Sequence, residues 1–92
     1  MNNITVRLSA SIAQLTGDNK VVVCAAHSID ECIQELDIRF TGLKDILCDV
    51  DGKVSDLFFI FLNGENIAYF QGTKTALQNG DELTIIPAAA GG

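Results

Sequence analysis

One stretch of this chain has the spacing of a long amphipathic helix, and strand-like segments flank it on both sides. Ile29, Cys32, Ile33, Leu36 and Phe40 recur at intervals of three and four, which puts them on one helical face. Ser28 followed by Glu31 has the capping-box spacing that opens a helix. Asp30 and Glu31 suit the positive end of the helix dipole, and Thr41-Gly42 supplies the stop. No other segment is long enough to fill the concave face of a sheet. The remaining apolar patterns must therefore pack on this one helix.

Ile4, Val6 and Leu8 alternate with Thr5 and Arg7, which predicts a half-buried strand. A loop turning at Thr16-Gly17-Asp18 leads into "KVVVCA", a β-branched second strand. The short connection predicts an antiparallel hairpin. Leu43, Ile46 and Leu47 suggest a further helical turn before an acidic loop at Asp49–Lys53. "DLFFIFLNGENIAYF" reads as two strands around Asn63-Gly64, the strongest short hairpin signal. "TKTAL" suggests one turn of helix, Asn79-Gly80-Asp81 a tight turn, and "ELTIIP" a last strand with Leu83 and Ile85 opposed to Thr84 and Ile86. The expected architecture is an α+β roll with a mixed sheet of about five strands on one main helix. It forms a single domain over residues 1–87, followed by a flexible tail at 88–92.

Composition narrows the partners. Twelve acids against six bases give a net charge of −6, which argues against nucleic acid or an anionic membrane, both of which need clustered Lys and Arg. A basic groove on a protein partner fits better. The longest apolar run, "LFFIFL", is far short of a membrane span. The N-terminus has no basic segment leading into an apolar one. Three cysteines without a CxxC pair point to free thiols in a reducing compartment, so the expected location is cytoplasmic.

The sites that could carry chemistry are few. Cys24, Cys32 and Cys48 read as buried structural thiols. They fail the four-cysteine requirement of a [2Fe–2S] centre, and a zinc site would need all three plus His27 to converge. His27 reads as a loop residue with no nucleophile placed for it. Asp49, Asp51 and Gly52 faintly suggest a calcium loop, but with Gly52 at its glycine position the flanking ligand positions fall on Leu47 and Phe58. No catalytic group and no metal ligand set is expected.

The ending "IIPAAAGG" is the unusual feature. After Pro87, the residues Ala88, Ala89, Ala90, Gly91 and Gly92 carry nothing larger than a methyl group. Five extended residues reach about 17 Å, and glycine lets a backbone pass a narrow channel without side-chain clashes. Pro87 restricts the direction of exit. A terminal carboxylate, with a pKa of about 3.3–3.7, is ionised and able to attack a phosphate. Such a tail suits threading into another protein's active site.

Taken together, the early hairpin, the single helix, the Asn63-Gly64 turn, the "NGDEL" segment at 79–83 and the ending Ile86-Pro87 to Gly91-Gly92 resemble the MoaD/ThiS group of ubiquitin-like sulfur carriers, over the whole chain. Within that group, "ITVRLSASIAQLTG" and "AAAGG" are most similar to carriers of cysteine biosynthesis. The resemblance implies a β-grasp fold and a protein that is not itself an enzyme. It implies that an activating enzyme uses ATP to adenylate Gly92, that sulfur replaces AMP to leave a thiocarboxylate, and that no cofactor is bound. The implied partners are this adenylating and sulfurylating enzyme and a sulfur-accepting synthase, for which a pyridoxal-phosphate (PLP) enzyme is one candidate. A metalloprotease that releases the product is a further candidate. The family pattern turns the residue before Asn63 inward, so Phe59, Phe61 and Ile86 are expected on the open face as a docking patch. The runner-up is a ubiquitin-like modifier joined to lysines through Gly92; a third class is an interaction domain whose Gly-Gly is incidental.

Overall fold

The structure is a computed structural model describing residues 2–88. The helix forms where its spacing predicts, as α2 at Ile29–Arg39. Ser28 caps it, its hydroxyl accepting from the Glu31 N–H at 3.2 Å. Glu31 Oε1 reaches back one residue beyond the expected partner, accepting from the His27 N–H at 2.9 Å. Ile29, Cys32, Ile33 and Leu36 are buried, and Phe40 packs against the core from the helix end. Gly42, at φ 95°, turns the chain into a second short helix, α3 at Leu43–Leu47, which buries Leu43 and Leu47.

The five strands are β1 (Asn3–Leu8), β2 (Val21–Ala25), β3 (Phe58–Leu62), β4 (Glu65–Asn66) and β5 (Glu82–Pro87). They form one mixed sheet in the order β2-β1-β5-β3-β4. β1 and β2 are antiparallel, as the short connection predicts. β5 returns to the centre, parallel to β1 and antiparallel to β3. Side chains alternate across a strand, so Ile4, Val6, Leu8, Val22, Cys24, Ile60, Leu83 and Ile85 point to the helix side and join one buried cluster with it. Phe58 and Leu62 lean on that cluster from its margin.

Three local expectations are corrected. The segment after β1 is helical rather than a plain loop: α1 at Ala10–Ala13 runs into a 3₁₀ turn at Gln14–Thr16. Burial drives this, because Ile12, Ala13 and Thr16 close the end of the core. The Thr16 hydroxyl lies within bonding distance of the Ala13 carbonyl at 3.1 Å and the Asn19 carbonyl at 2.9 Å. The strand expected through "ENIAYF" is only two residues long. Asn66 Oδ1 accepts from the Ala68 N–H at 2.9 Å and starts a 3₁₀ turn at Ile67–Tyr69 that buries Ile67. The helical turn expected in "TKTAL" falls earlier, at Gly72–Lys74. Ala76 instead bridges to Ser28, and the Leu77 N–H donates to the His27 carbonyl. That extended segment holds the connection against the start of α2.

Candidate functional site

The open face of the sheet is organised by β3 and β5, and two asparagine turns set their register. Asn63 and Gly64 both have positive φ, 50° and 91°, the geometry of a two-residue hairpin turn that follows the twist of its strands. The Asn63 side chain then clasps the neighbouring strand. Its Oδ1 accepts from the Glu82 N–H at 3.0 Å, and its Nδ2 donates to Asp81 Oδ1 at 3.1 Å. The Asn63 N–H donates to the Glu82 carbonyl at 2.8 Å. Asp81 closes its own turn by accepting from the Gln78 N–H at 2.8 Å, while Asn79 Oδ1 accepts from the Asn3 N–H at 2.8 Å. The "NG" and "NGDEL" segments thus fasten β3 and β1 to the start of β5.

That register decides which side chains share the open face. Phe59 stands opposite Ile86, Phe61 opposite Thr84, and Phe58 opposite Pro87. Ile60 is 1% exposed, whereas its neighbour Phe59 is 42% exposed. Phe61 and Ile86 are half-buried. The Phe59 and Phe61 rings meet edge to face at 6.1 Å with a 72° interplanar angle, an arrangement the ring quadrupoles favour. Phe59, Phe61 and Ile86 therefore lie together on the helix-free side.

The structure extends this patch by one residue. Leu57 continues the outward row of Phe59 and Phe61 and is 64% exposed; its carbonyl accepts from the Ala88 N–H at 2.8 Å. The alternation of "LFFIFL" groups Leu57 with Phe59 and Phe61, but only its bond to Ala88 shows that it stands where the chain leaves β5. Pro87 and Ala88 are half-buried there. Ala89, Ala90, Gly91 and Gly92 lie outside the described residues.

Electrostatics divide the molecule. Arg7, on the open side of β1, is paired with Glu82 at 3.0 Å. Three of the six basic residues, Lys44, Lys53 and Lys74, instead line a groove of about 750 Å³ beside β3. Lys74 is bonded there to Asp30 at 3.0 Å. Asp30, Asp51 and Asp56 share that lining, so the groove is of mixed charge.

The other candidate groups are accounted for locally. Cys24, Cys32 and Cys48 are free and buried. Hydrogen bonding to Cys24 and burial push the Cys32 thiol up, and burial pushes Cys48 up. Both favour the protonated, unreactive form. His27 contacts the Asn2 amide, with 3.1 Å between Nδ1 and Nδ2. Asp49 Oδ1 accepts from the Asp51 and Lys53 N–H groups, so this carboxylate holds its own loop. Among the described residues, no group of three or more His, Cys, Asp or Glu comes together to hold a metal, and no helix is long and apolar enough to cross a membrane.

Known proteins share both this sequence pattern and this geometry. The family model described as "ThiS family" matches residues 6–92. The sulfur carrier protein CysO of Mycobacterium tuberculosis is 32% identical over 92 residues, covering 98% of this chain and 99% of its own. A putative sulfur carrier protein of Archaeoglobus fulgidus is 38% identical over 91 residues, covering 97% and 98%. A chain in the crystal structure of the Amycolatopsis orientalis BexX/CysO complex superposes with a TM-score of 0.90 at 29% identity, covering 97% of this chain and 99% of that one.

Proposed function

The chain belongs to the ThiS family, and from that premise we propose that it is a sulfur carrier protein of cysteine biosynthesis, a protein co-substrate rather than a catalyst. The observation that carries this reading is the way β5 leaves the sheet. Ile86 pairs with Phe59 and the Ala88 N–H bonds to Leu57, so the tail departs from the border of an exposed apolar patch. A partner that grips the patch holds the base of the tail at the same time. The family match continues through to Gly92, which supports Gly92 as the residue to be altered, with Pro87, Ala88, Ala89, Ala90 and Gly91 as the proposed threaded segment.

The chemistry belongs to the partner. The Gly92 carboxylate attacks the α-phosphate of ATP, forming an acyl-adenylate and releasing pyrophosphate. A sulfur nucleophile then adds at the acyl carbon and expels AMP, leaving a thiocarboxylate. A sulfur-accepting synthase consumes it. The carrier contributes a reacting carboxylate, a slim approach and a docking surface. Aromatic anchors such as Phe59 and Phe61 supply much binding energy per residue.

Intact mass after incubation with ATP, sulfide and an activating enzyme tests the reading. A carrier gains the mass difference between sulfur and oxygen at its terminal glycine. Conjugates on protein lysines would indicate a modifier instead, and an unchanged mass an incidental tail. Gly91→Val should abolish activation with an unchanged thermal midpoint, since the core lies within other segments. Normal adenylation of Gly91→Val would refute the threading role.

A further inference from the structure

The two edges of the sheet are finished differently. β4 is two residues long and turns at once into a 3₁₀ segment capped by Asn66. β2 is five residues long, Val-Val-Val-Cys-Ala, with neither proline nor charge. Edge strands that must stay single normally carry a proline, a charge or a bulge, and β2 has no proline or charge to play that part.

Hydrogen-bond parity shows what this edge presents. The Leu8 N–H donates to the Lys20 carbonyl at 2.8 Å, and the Ala26 N–H to the Asn2 carbonyl at 3.2 Å. With the antiparallel register of β1 and β2, the even-numbered residues of β2 therefore bond to β1. The N–H and C=O groups of Val21, Val23 and Ala25 point to the free edge. Their side chains stand on the open face, where Val21 and Val23 are 50% and 51% exposed.

We propose that β2 pairs antiparallel with β2 of a second copy, about a twofold axis at Val23. Centring there uses every free group of the strand. Val23 faces Val23, Val21 of each copy faces Ala25 of the other, and all three are pairs that exchange two N–H···O bonds. The occupant is a second copy because this edge is its own complement: one register satisfies all its donors and acceptors and sets apolar side chains beside apolar ones. The result is a continuous ten-stranded sheet with both open faces on the same side. Phe59 and Phe61 lie on β3, three strands from β2 in the sheet order, or about 14 Å away, so both docking patches stay free. Strand pairing alone buries less than the roughly 1,600 Å² of a standard interface, so the dimer is weak. Each copy carries −6, so added salt screens their repulsion and strengthens the dimer.

Sedimentation velocity on the full chain, from about 10 µM to about 1 mM, tests this. The sedimenting mass should rise toward two chains at the top of the range, and further with salt. Val23→Pro removes an N–H that bonds nothing within the chain, and edge strands tolerate proline; Val23→Lys places a charge on the axis. Both should keep the wild-type melting temperature within a few degrees and weaken the dimer at least tenfold. A chain that stays monomeric throughout overturns the proposal. So does a dimer undiminished in both variants, or one broken by Phe61→Asp instead.

Discussion

Ile60 and Phe61 are neighbours in β3, yet they meet different surroundings. Ile60 is sealed between the sheet and α2, while Phe61 stands on the open side against Phe59. The same division runs through β5, where Leu83 and Ile85 are buried and Thr84 and Ile86 are not. Apolar residues thus occupy both faces but carry different tasks. On the helix side they exclude water and hold the fold. On the open side they offer apolar area that folding leaves uncovered, the area that the proposed docking would use.

The helix-side residues should show the largest effects. Leu36→Ala is expected to lower stability by roughly 2–5 kcal/mol, as cavity-forming changes do, with Ile33→Ala in the same range. Denaturant melts check this. An unchanged melt in both would mean that the buried face does not hold the fold. The open face should answer in binding instead. Phe61→Asp is expected to keep the wild-type melt while weakening the activating enzyme at least tenfold, about 1.4 kcal/mol, and calorimetric titration reads this directly. Destabilisation comparable to Leu36→Ala would erase the distinction between the faces.

Smaller effects sharpen the comparison. The Arg7–Glu82 pair is half-exposed, with side chains 54% and 43% accessible, and such pairs contribute about 0–1 kcal/mol. Arg7→Gln should therefore barely move the melt, and less still at high salt. The helix side should set the alkaline limit. Cys32 and Cys48 are pushed above the ordinary thiol value of 9.0, so the folded state disfavours their thiolates. Their contribution is present below about pH 9 and is lost as pH rises beyond it. Urea midpoints measured from pH 7 to pH 10 should fall accordingly, and the fall should shrink in Cys48→Ala.

Much of this was readable before any coordinates. Alternation identified the inward rows of β1 and β5, and capping chemistry located Ser28 and Glu31 because both are local signals. The outward setting of Phe59 followed from the family resemblance, which turns the residue before Asn63 inward, and alternation carried that parity back along the strand. The turn at Leu43–Leu47 was readable from its spacing, but the helical piece after β1 was not, since Ile12 and Thr16 become helical by closing one end of a core that the other strands create. The truncated β4 was hidden for a related reason: Ile67 turns inward where continued alternation would have kept a strand running. The free edge of β2 needs the strand order as well as the pattern, and Leu57 gains its meaning only from its bond to Ala88.

The central pairing of β1 with β5 also has a consequence for synthesis. The strands nearest the two ends of the chain lie side by side in the middle of the sheet. Contacts this distant in sequence form late, because a long loop must close before they are rewarded. A nascent chain can form its first hairpin and helix on the ribosome, but it cannot complete the sheet until Pro87 has cleared the exit tunnel. A product cut short before β5 lacks both the tail and the middle of its fold, and it exposes the buried face of β1 to proteolysis. Completion of the sheet thus acts as a checkpoint: any folded copy has been translated at least through β5, the strand from which the tail departs.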